Sequence, residues 1–274
     1  MSDTGVSPDW SVRRADGVLT FTVTRDAKRN AFSNAILDGL RAAVTDLADD
    51  ADLRVLVIAA EGRYFTSGVD IAEIADPPGV DADGTVHGQV LRRHYRKLHL
   101  LFDEIEACEK PVVLAAHGPC LGLGVELASS CDFRFASDAA TFALPEVVNL
   151  AVIPGSGGIS RLTRIVGPHW ARWLALACET VTAERALLMG FVHEVWPAET
   201  FADNVAAFAR RLASLPGEAV ALAKLGIDIA ASSDRTTARD FDRVANTVLL
   251  TSEDYVARVR AFNERSAARS QPRD

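Results

Sequence analysis

The sequence predicts a layered α/β fold that gives way to an all-helical tail. Three observations carry this. Residues 18–24 (Val-Leu-Thr-Phe-Thr-Val-Thr) alternate apolar and polar, the pattern of a half-buried strand. Residues 33–48 place Ile36, Leu37, Leu40, Val44 and Leu47 at helical spacing, with Ser33 as N-cap and Asp38, Arg41 and Asp46 on the outer face. Residues 54–60 (Arg-Val-Leu-Val-Ile-Ala-Ala) form an apolar run, typical of a strand covered on both faces. Strand, helix and buried strand in that order make an α/β layer structure.

The elements that follow extend the pattern. Tyr64-Phe-Thr-Ser-Gly-Val-Asp70 reads as a turn on Gly68 leading into a helix around 70–75. A loop containing Pro77-Pro78-Gly79 occupies about 76–88 and is expected to be exposed and mobile. A helix over 89–107 and an apolar strand over 112–116 come next. A Gly-rich turn at 118–124 leads into a short helix at 124–130, and a strand at 132–136 carries Phe133 and Phe135 on one face. Pro154-Gly-Ser-Gly-Gly158 is a second Gly-rich turn before the apolar 159–166 segment. Beyond about 168 the chain reads as helices (168–177, 182–189, 199–214, 217–231, 236–250, 252–266) with one short strand at 191–196. A soft boundary near 200 separates an α/β core, 1–200, from a helical tail, 201–274. Residues 270–274 are expected to fray.

Composition narrows the function. With 274 residues, 49% hydrophobic and 24% charged, the chain can bury a core without disulfide or metal staples. A net charge of −8 argues against general binding to nucleic acid or to an anionic membrane. Cys108, Cys120, Cys131 and Cys178 form no C-x-x-C pair, and no histidine stands near them at zinc spacing, so they read as inert core thiols. No basic n-region or apolar leader opens the chain, and no apolar run approaches the ~18 residues of a membrane helix. A cytoplasmic protein is the expectation.

The most informative stretch for chemistry is His117-Gly-Pro-Cys-Leu-Gly-Leu-Gly-Val-Glu126. A buried strand ends, the chain turns on Gly122 and Gly124, and a helix begins, which leaves backbone N–H groups free for a ligand. Two readings are open, a ligand cradle or a plain strand–helix turn. A dinucleotide fingerprint fails because Leu127 stands where its third glycine belongs, and no Gly-Lys-Ser/Thr follows for a phosphate loop. Glu126 lies among Val125, Leu127 and Ala128, and Glu146 follows Pro145 in another apolar setting. Each alone is either a solvated charge or a placed acid/base, and together they make a plausible acid/base pair. Asp132 reads as a backbone-bonding carboxylate at a strand start, and His117 as a packed polar residue. The turn before Asp70 either offers N–H groups to a ligand or is an ordinary loop capped by Asp70. No G-x-S-x-G, no H-E-x-x-H and no metal constellation occur.

These segments, in this order, resemble the crotonase (enoyl-CoA hydratase/isomerase) superfamily through nearly the whole chain. Arg25-Asp-Ala-Lys-Arg-Asn-Ala-Phe32 is similar to the family's early R-P-x-x-x-N-A segment, and Phe65-Thr-Ser-Gly-Val-Asp70 to its F-x-x-G-x-D turn. Lys110 to Glu146 and on to Ile153-Pro-Gly-Ser-Gly-Gly158 is similar to its central signature. Thr182–Val195 resembles its A-x-x-A-x-x-x-G-L-V segment, and Ser252-Glu-Asp to Arg265 its terminal helix.

The resemblance implies a spiral of ββα turns with a C-terminal helical region that builds homotrimers, often dimers of trimers. It implies an acyl-CoA substrate, with no cofactor beyond that CoA, and a hydro-lyase that adds water to a 2-enoyl thioester. Glu126 and Glu146 map onto the acid/base glutamates, and the N–H groups of Val69 and Leu123 onto the oxyanion hole. Coenzyme A maps along 28–31 and 66–72, with Lys28, Arg29, Ala31, Thr66, Ser67, Asp70, Ile71 and Gly122 as contacts. Three departures bear on the acyl pocket: Leu123 replaces the middle glycine of a G-G-G, Val69 replaces a smaller residue, and seven residues separate Glu146 from Pro154. Isomerase, other hydroxyacyl-CoA dehydratase and thioester hydrolase are the alternatives within the superfamily. A non-catalytic scaffold or RNA-binding homologue is the alternative outside catalysis, disfavoured by the charge and the intact acids.

Overall fold

The computed structural model describes residues 6–74, 79–81 and 83–269. Along the chain run β1 (Val6–Ser7), β2 (Trp10–Ala15), β3 (Val18–Val23), α1 (Asn34–Asp49), β4 (Val55–Ala60), α2 (Ile71–Ile74), α3 (Gly88–Ala107) and β5 (Val112–Ala116). There follow β6 (Cys120–Leu121), α4 (Leu123–Ala128), β7 (Phe133–Ser137), β8 (Thr141–Ala143), α5 (Glu146–Leu150), α6 (Ser160–Ala175), β9 (Val181–Thr182), α7 (Ala183–Leu188), β10 (Glu194–Trp196) and α8 (Ala198–Ala213). The last three are α9 (Gly217–Ser232), α10 (Arg235–Leu250) and α11 (Glu253–Arg269). The chain divides into two compact units, Met1–Ala213 and Ser214–Asp274.

In the first unit, described strands form a sheet in the order β1-β2-β3-β4-β5-β7-β10. The β1–β2–β3 edge is antiparallel, and every pairing from β3 to β10 is parallel. Alternation along the central strands explains why both faces are covered. Leu19, Phe21, Leu56, Ile58, Val112 and Leu114 point into one core with α1, α3 and α4. Val18, Val55, Val57, Val113 and Ala115 point the other way, into a second core. That second face is covered by α8, whose Phe201, Val205, Ala209 and Leu212 form one buried stripe at helical spacing. A smaller sheet, β6-β8-β9, lies in the first core and carries the functional turns. Mixed sheets with interspersed helices and a helical tail match the expected architecture.

Several expected elements stand as read. Ser33 Oγ accepts the Ile36 N–H at 3.3 Å and caps α1. Asp132 Oδ2 accepts the Val112 N–H at 2.7 Å, and a ring nitrogen of His117 meets the Gly62 carbonyl at 2.8 Å. All four cysteines are free thiols; Cys108, Cys120 and Cys131 are buried as expected, whereas Cys178 is half-buried and outside the core. The sequence reading lacks β2, β8 and α5, and the two-residue strands β1, β6 and β9. It treats 159–166 and 168–177 as separate, and the structure agrees: the α6 span is two helices broken at Gly167, whose φ 72°, ψ 167° is not helical, with Pro168 opening the second. Of the 76–88 loop, 76–78 and 82 lie outside the described residues, as do 270–274. Within it Val80 and Val86 form an isolated antiparallel bridge. Among the described residues no helix is long and apolar enough to cross a membrane.

Trp10 on β2 stacks on Phe21 with ring centroids 5.3 Å apart and rests on Gly39 of α1. A Cβ at Gly39 would lie 2.4 Å from the indole Cε2. Gly39→Ala gains about 1 kcal/mol of helix propensity but forces the indole aside, at about 1–3 kcal/mol. The expected result is a net loss of stability, read as a lower urea midpoint at unchanged slope. A midpoint at or above the parent's would show that the indole moves freely.

In the second unit, α9 and α10 pack together, with the Phe241 ring 3.1 Å from where a Gly226 Cβ would sit. Asp234 caps α10 by accepting the Thr236 N–H at 2.8 Å.

Candidate active site

The 66–70 turn is stitched between two neighbours. On one side Phe32 donates to the Gly68 carbonyl at 2.8 Å and accepts from the Asp70 N–H at 3.0 Å. On the other, Thr66 donates to the Pro119 carbonyl at 3.1 Å and accepts from the Leu121 N–H at 3.0 Å. Because Phe32 bonds the residues flanking Val69, the Val69 N–H faces away from that ladder. Gly68 (φ 101°) sits against the 121–123 segment. A Cβ there would lie 3.3 Å from the Leu121 carbonyl and 3.7 Å from the Leu123 nitrogen. The Val69 and Leu123 amides are therefore neighbours across a glycine contact. Leu123 opens α4, where N–H groups have no helical partner. Among the described residues neither amide has a protein acceptor.

Both glutamates meet Gly122, which faces this turn: Glu126 donates its backbone N–H to the Gly122 carbonyl at 3.2 Å, and the Glu146 carboxyl lies against Gly122. Glu126 on α4 is 4% exposed, and its Oε1 accepts N–H groups from Ser156 at 2.6 Å and Gly158 at 2.9 Å. Glu146 opens α5 after Pro145, and its Oε1 lies 2.9 Å from where a Gly122 Cβ would sit. Glycine at 122 (φ 55°, ψ −119°) is thus required by both backbone and space. The other Glu146 oxygen is buried with no hydrogen-bond partner.

Burial raises the Glu126 carboxyl to about 7, and the nearby Glu146 charge pushes the same way against the two amides that favour the anion. Burial also raises Glu146. An ordinary glutamate titrates at 4.5, so between pH 4.5 and 7 the folded chain binds more protons at Glu126 than the unfolded chain does. Stability from this group therefore falls as pH rises through that window and is level above it. Glu126→Gln is expected to remove that loss. Its stability relative to the parent should grow by up to about 3 kcal/mol between pH 5 and pH 8. Urea denaturation at both pH values checks this, and a constant difference would show that Glu126 is charged throughout.

The sequence did not signal the device that orients Glu126. Pro154-Gly-Ser-Gly-Gly158 reads as a Gly-rich turn, and its tie to Glu126 appears only in three dimensions. Arg161 pins it from below. Its Nη1 donates to the Ser156 carbonyl at 3.2 Å, and its guanidinium pairs with Asp103 and Glu106 of α3. The Leu123 side chain, where a glycine is usual in the family the sequence resembles, is buried in the main core, and Val69 packs at its edge.

The residues matched to coenzyme A separate into two sets. Lys28 and Arg29 are exposed, with the Arg29 guanidinium 5.8 Å from the Tyr64 ring centroid. Ser67 is half-buried and Ile71 exposed. Thr66, by contrast, is fully buried, its hydroxyl donating to the Asn30 carbonyl at 2.7 Å and accepting from the Gly68 N–H at 3.1 Å. Ala31 is buried. Asp70 takes a 2.6 Å hydrogen bond from Arg25 that holds its carboxyl below the usual range, and it accepts the Ala72 N–H. Thr66, Ala31 and Asp70 hold the turn, and the exposed residues flank it.

The enoyl-CoA hydratase/isomerase family model matches residues 13–271. The chain is 32% identical over 251 residues to the 2,3-dehydroadipyl-CoA hydratase of Escherichia coli, covering 92% of this chain and 94% of that one. It is 31% identical to the mitochondrial Delta(3,5)-Delta(2,4)-dienoyl-CoA isomerase of Rattus norvegicus, over 92% of this chain and 78% of that one. The crystal structure of an enoyl-CoA hydratase from Bacillus anthracis superposes with a TM-score of 0.85 at 28% identity, covering 94% of this chain and 96% of that one. Matched by the family model over 13–271 and by a relative 32% identical across nine-tenths of both chains, this chain belongs to the enoyl-CoA hydratase/isomerase family, the crotonase superfamily of enzymes.

Proposed function

We propose that this chain hydrates a 2-enoyl-CoA thioester. The observation that carries the reading is the pairing of Glu126 and Glu146, both with raised carboxyl pKa, beside the Val69 and Leu123 amides. Water attacks C3 while one glutamate takes its proton. The electron pair of the double bond moves onto the thioester oxygen, which the two N–H groups hold as an enolate. The other carboxyl supplies the proton to C2 as the carbonyl re-forms. A carboxyl raised to about 7, as Glu126 is, and a second one that burial raises suit proton transfer in both directions. Coenzyme A lies along 28–31 and 66–72, with Lys28 and Arg29 toward its phosphates.

The helical tail assembles copies of the chain into a homotrimer or a dimer of trimers. Val244, Val248, Tyr255, Val256 and Phe262 are exposed apolar residues of α10 and α11 that suit this role.

Loss of the conjugated-thioester absorbance of a short 2-enoyl-CoA tests hydration. A second reading, isomerisation of a 3-enoyl to a 2-enoyl thioester, uses the same enolate and is favoured by the similarity to the rat dienoyl isomerase. Absorbance gained from a 3-enoyl-CoA, with none lost from a 2-enoyl-CoA, selects it.

A further inference from the structure

Beside the Pro154–Gly158 turn lies an open cavity of about 440 Å³ lined by Leu91, Arg92, Tyr95, Arg96, His99 and Gly155. Its floor adjoins the reaction centre. Gly155 is joined by one peptide to Ser156, whose N–H meets Glu126 at 2.6 Å, so the floor begins within about 5 Å of that carboxylate. Its wall is one face of α3. Arg92, Tyr95, Arg96 and His99 recur there at helical spacing, spread over about 10 Å of helix. Further along α3, Leu101, Phe102 and Ile105 anchor its last turns in the core.

The lining holds two arginines, a histidine and a tyrosine hydroxyl, and no acid. Among the described residues neither Arg92 nor Arg96 has a carboxylate partner. Arg93, on the same helix but outside the cavity, has none either, whereas Arg41 pairs with Glu104 and Arg161 with Asp103 and Glu106. The acids of α3 are thus engaged elsewhere, in a chain of net charge −8. Cations left unpaired along one wall, with Leu91 beside them, suit a ligand with an apolar stem and an anionic end.

We infer that the acyl chain of the substrate ends in a second carboxylate, held by Arg92 and Arg96. This rests on the acyl-CoA reading above and names its substrate class. Guanidinium forks suit a carboxylate in both charge and geometry.

The test uses binding rather than turnover, so that it stands apart from the hydration assay. Two saturated acyl-CoA thioesters of equal chain length, one ending in a methyl and one in a carboxylate, are titrated by calorimetry into the whole protein. The carboxylated thioester is expected to bind about 10-fold tighter or more, by a margin that shrinks with added salt. In Arg92→Gln/Arg96→Gln, surface changes that the fold tolerates, that ratio is expected to fall to about one. Equal affinities in the parent overturn the inference. So does a variant that loses free CoA as strongly as the carboxylated thioester, because the arginines would then serve the CoA phosphates. Failure to hydrate any enoyl-CoA bears on the proposed reaction and leaves the affinity ratio readable.

Discussion

Glu126→Gln and Glu146→Gln are each expected to lower kcat for enoyl-CoA hydration by about 10²–10⁴-fold, with little change in KM. Glutamine at 126 keeps an oxygen for the Ser156 and Gly158 amides, so the change removes proton transfer and spares the turn. Glutamine at 146 enters a half-buried site where one carboxyl oxygen has no partner to lose. If the acids act as a unit, the double variant falls little below the weaker single one. In the parent, kcat/KM is expected to change through pH about 7, where burial has moved Glu126, and that inflection should vanish in Glu126→Gln. Steady-state rates on one 2-enoyl-CoA from pH 5 to pH 9 measure both. A single variant with the parent's rate excludes that carboxyl from the chemistry.

Leu123→Pro deletes one of the two amides proposed to hold the enolate. Proline is normally disruptive, but Leu123 is the first residue of α4, where proline is accommodated and no helical bond is lost. The residue before it is Gly122, whose ψ of −119° lies outside the helical region that proline excludes from its predecessor. Leu123 is also buried, so truncating its side chain costs about 2–5 kcal/mol of stability. Leu123→Ala is therefore the reference, since it loses the same side chain and keeps the N–H. Turnover by Leu123→Pro is expected about 10²–10³-fold below Leu123→Ala, with both shown folded by circular dichroism. Equal rates would remove the Leu123 amide from the mechanism.

Much of the architecture was readable from local patterns. Alternation in 18–24, helical spacing in 33–48 and the apolar run in 54–60 correspond to β3, α1 and β4. The omissions have specific causes. Trp10–Ala15 buries only Val12 among its six residues, so no alternation marks β2. The signal that was present is Asp16-Gly17, both at positive φ (54° and 74°), in the two-residue turn that pairs Ala15 with Val18. β8 is three residues long, and α5 five, too short for a period to register. In the candidate site, Gly122 and both glutamates stand out by their apolar surroundings. The supports do not, because Thr66, Asp70 and Arg161 look like ordinary polar residues until their partners are known.

Side-chain period, turn residues and charge are properties of neighbouring positions, so composition and order alone specify the α/β class, the helical tail and the two unusual acids. The partners of those acids are another matter. Glu126 meets amides 30 and 32 residues further on, and Gly68 comes against Leu123 only when separate turns pack. Contacts of that kind depend on how the loops close around one core. That closure takes water away from the carboxyl groups and shifts their ionisation, so it belongs to the folded chain and to no segment of it.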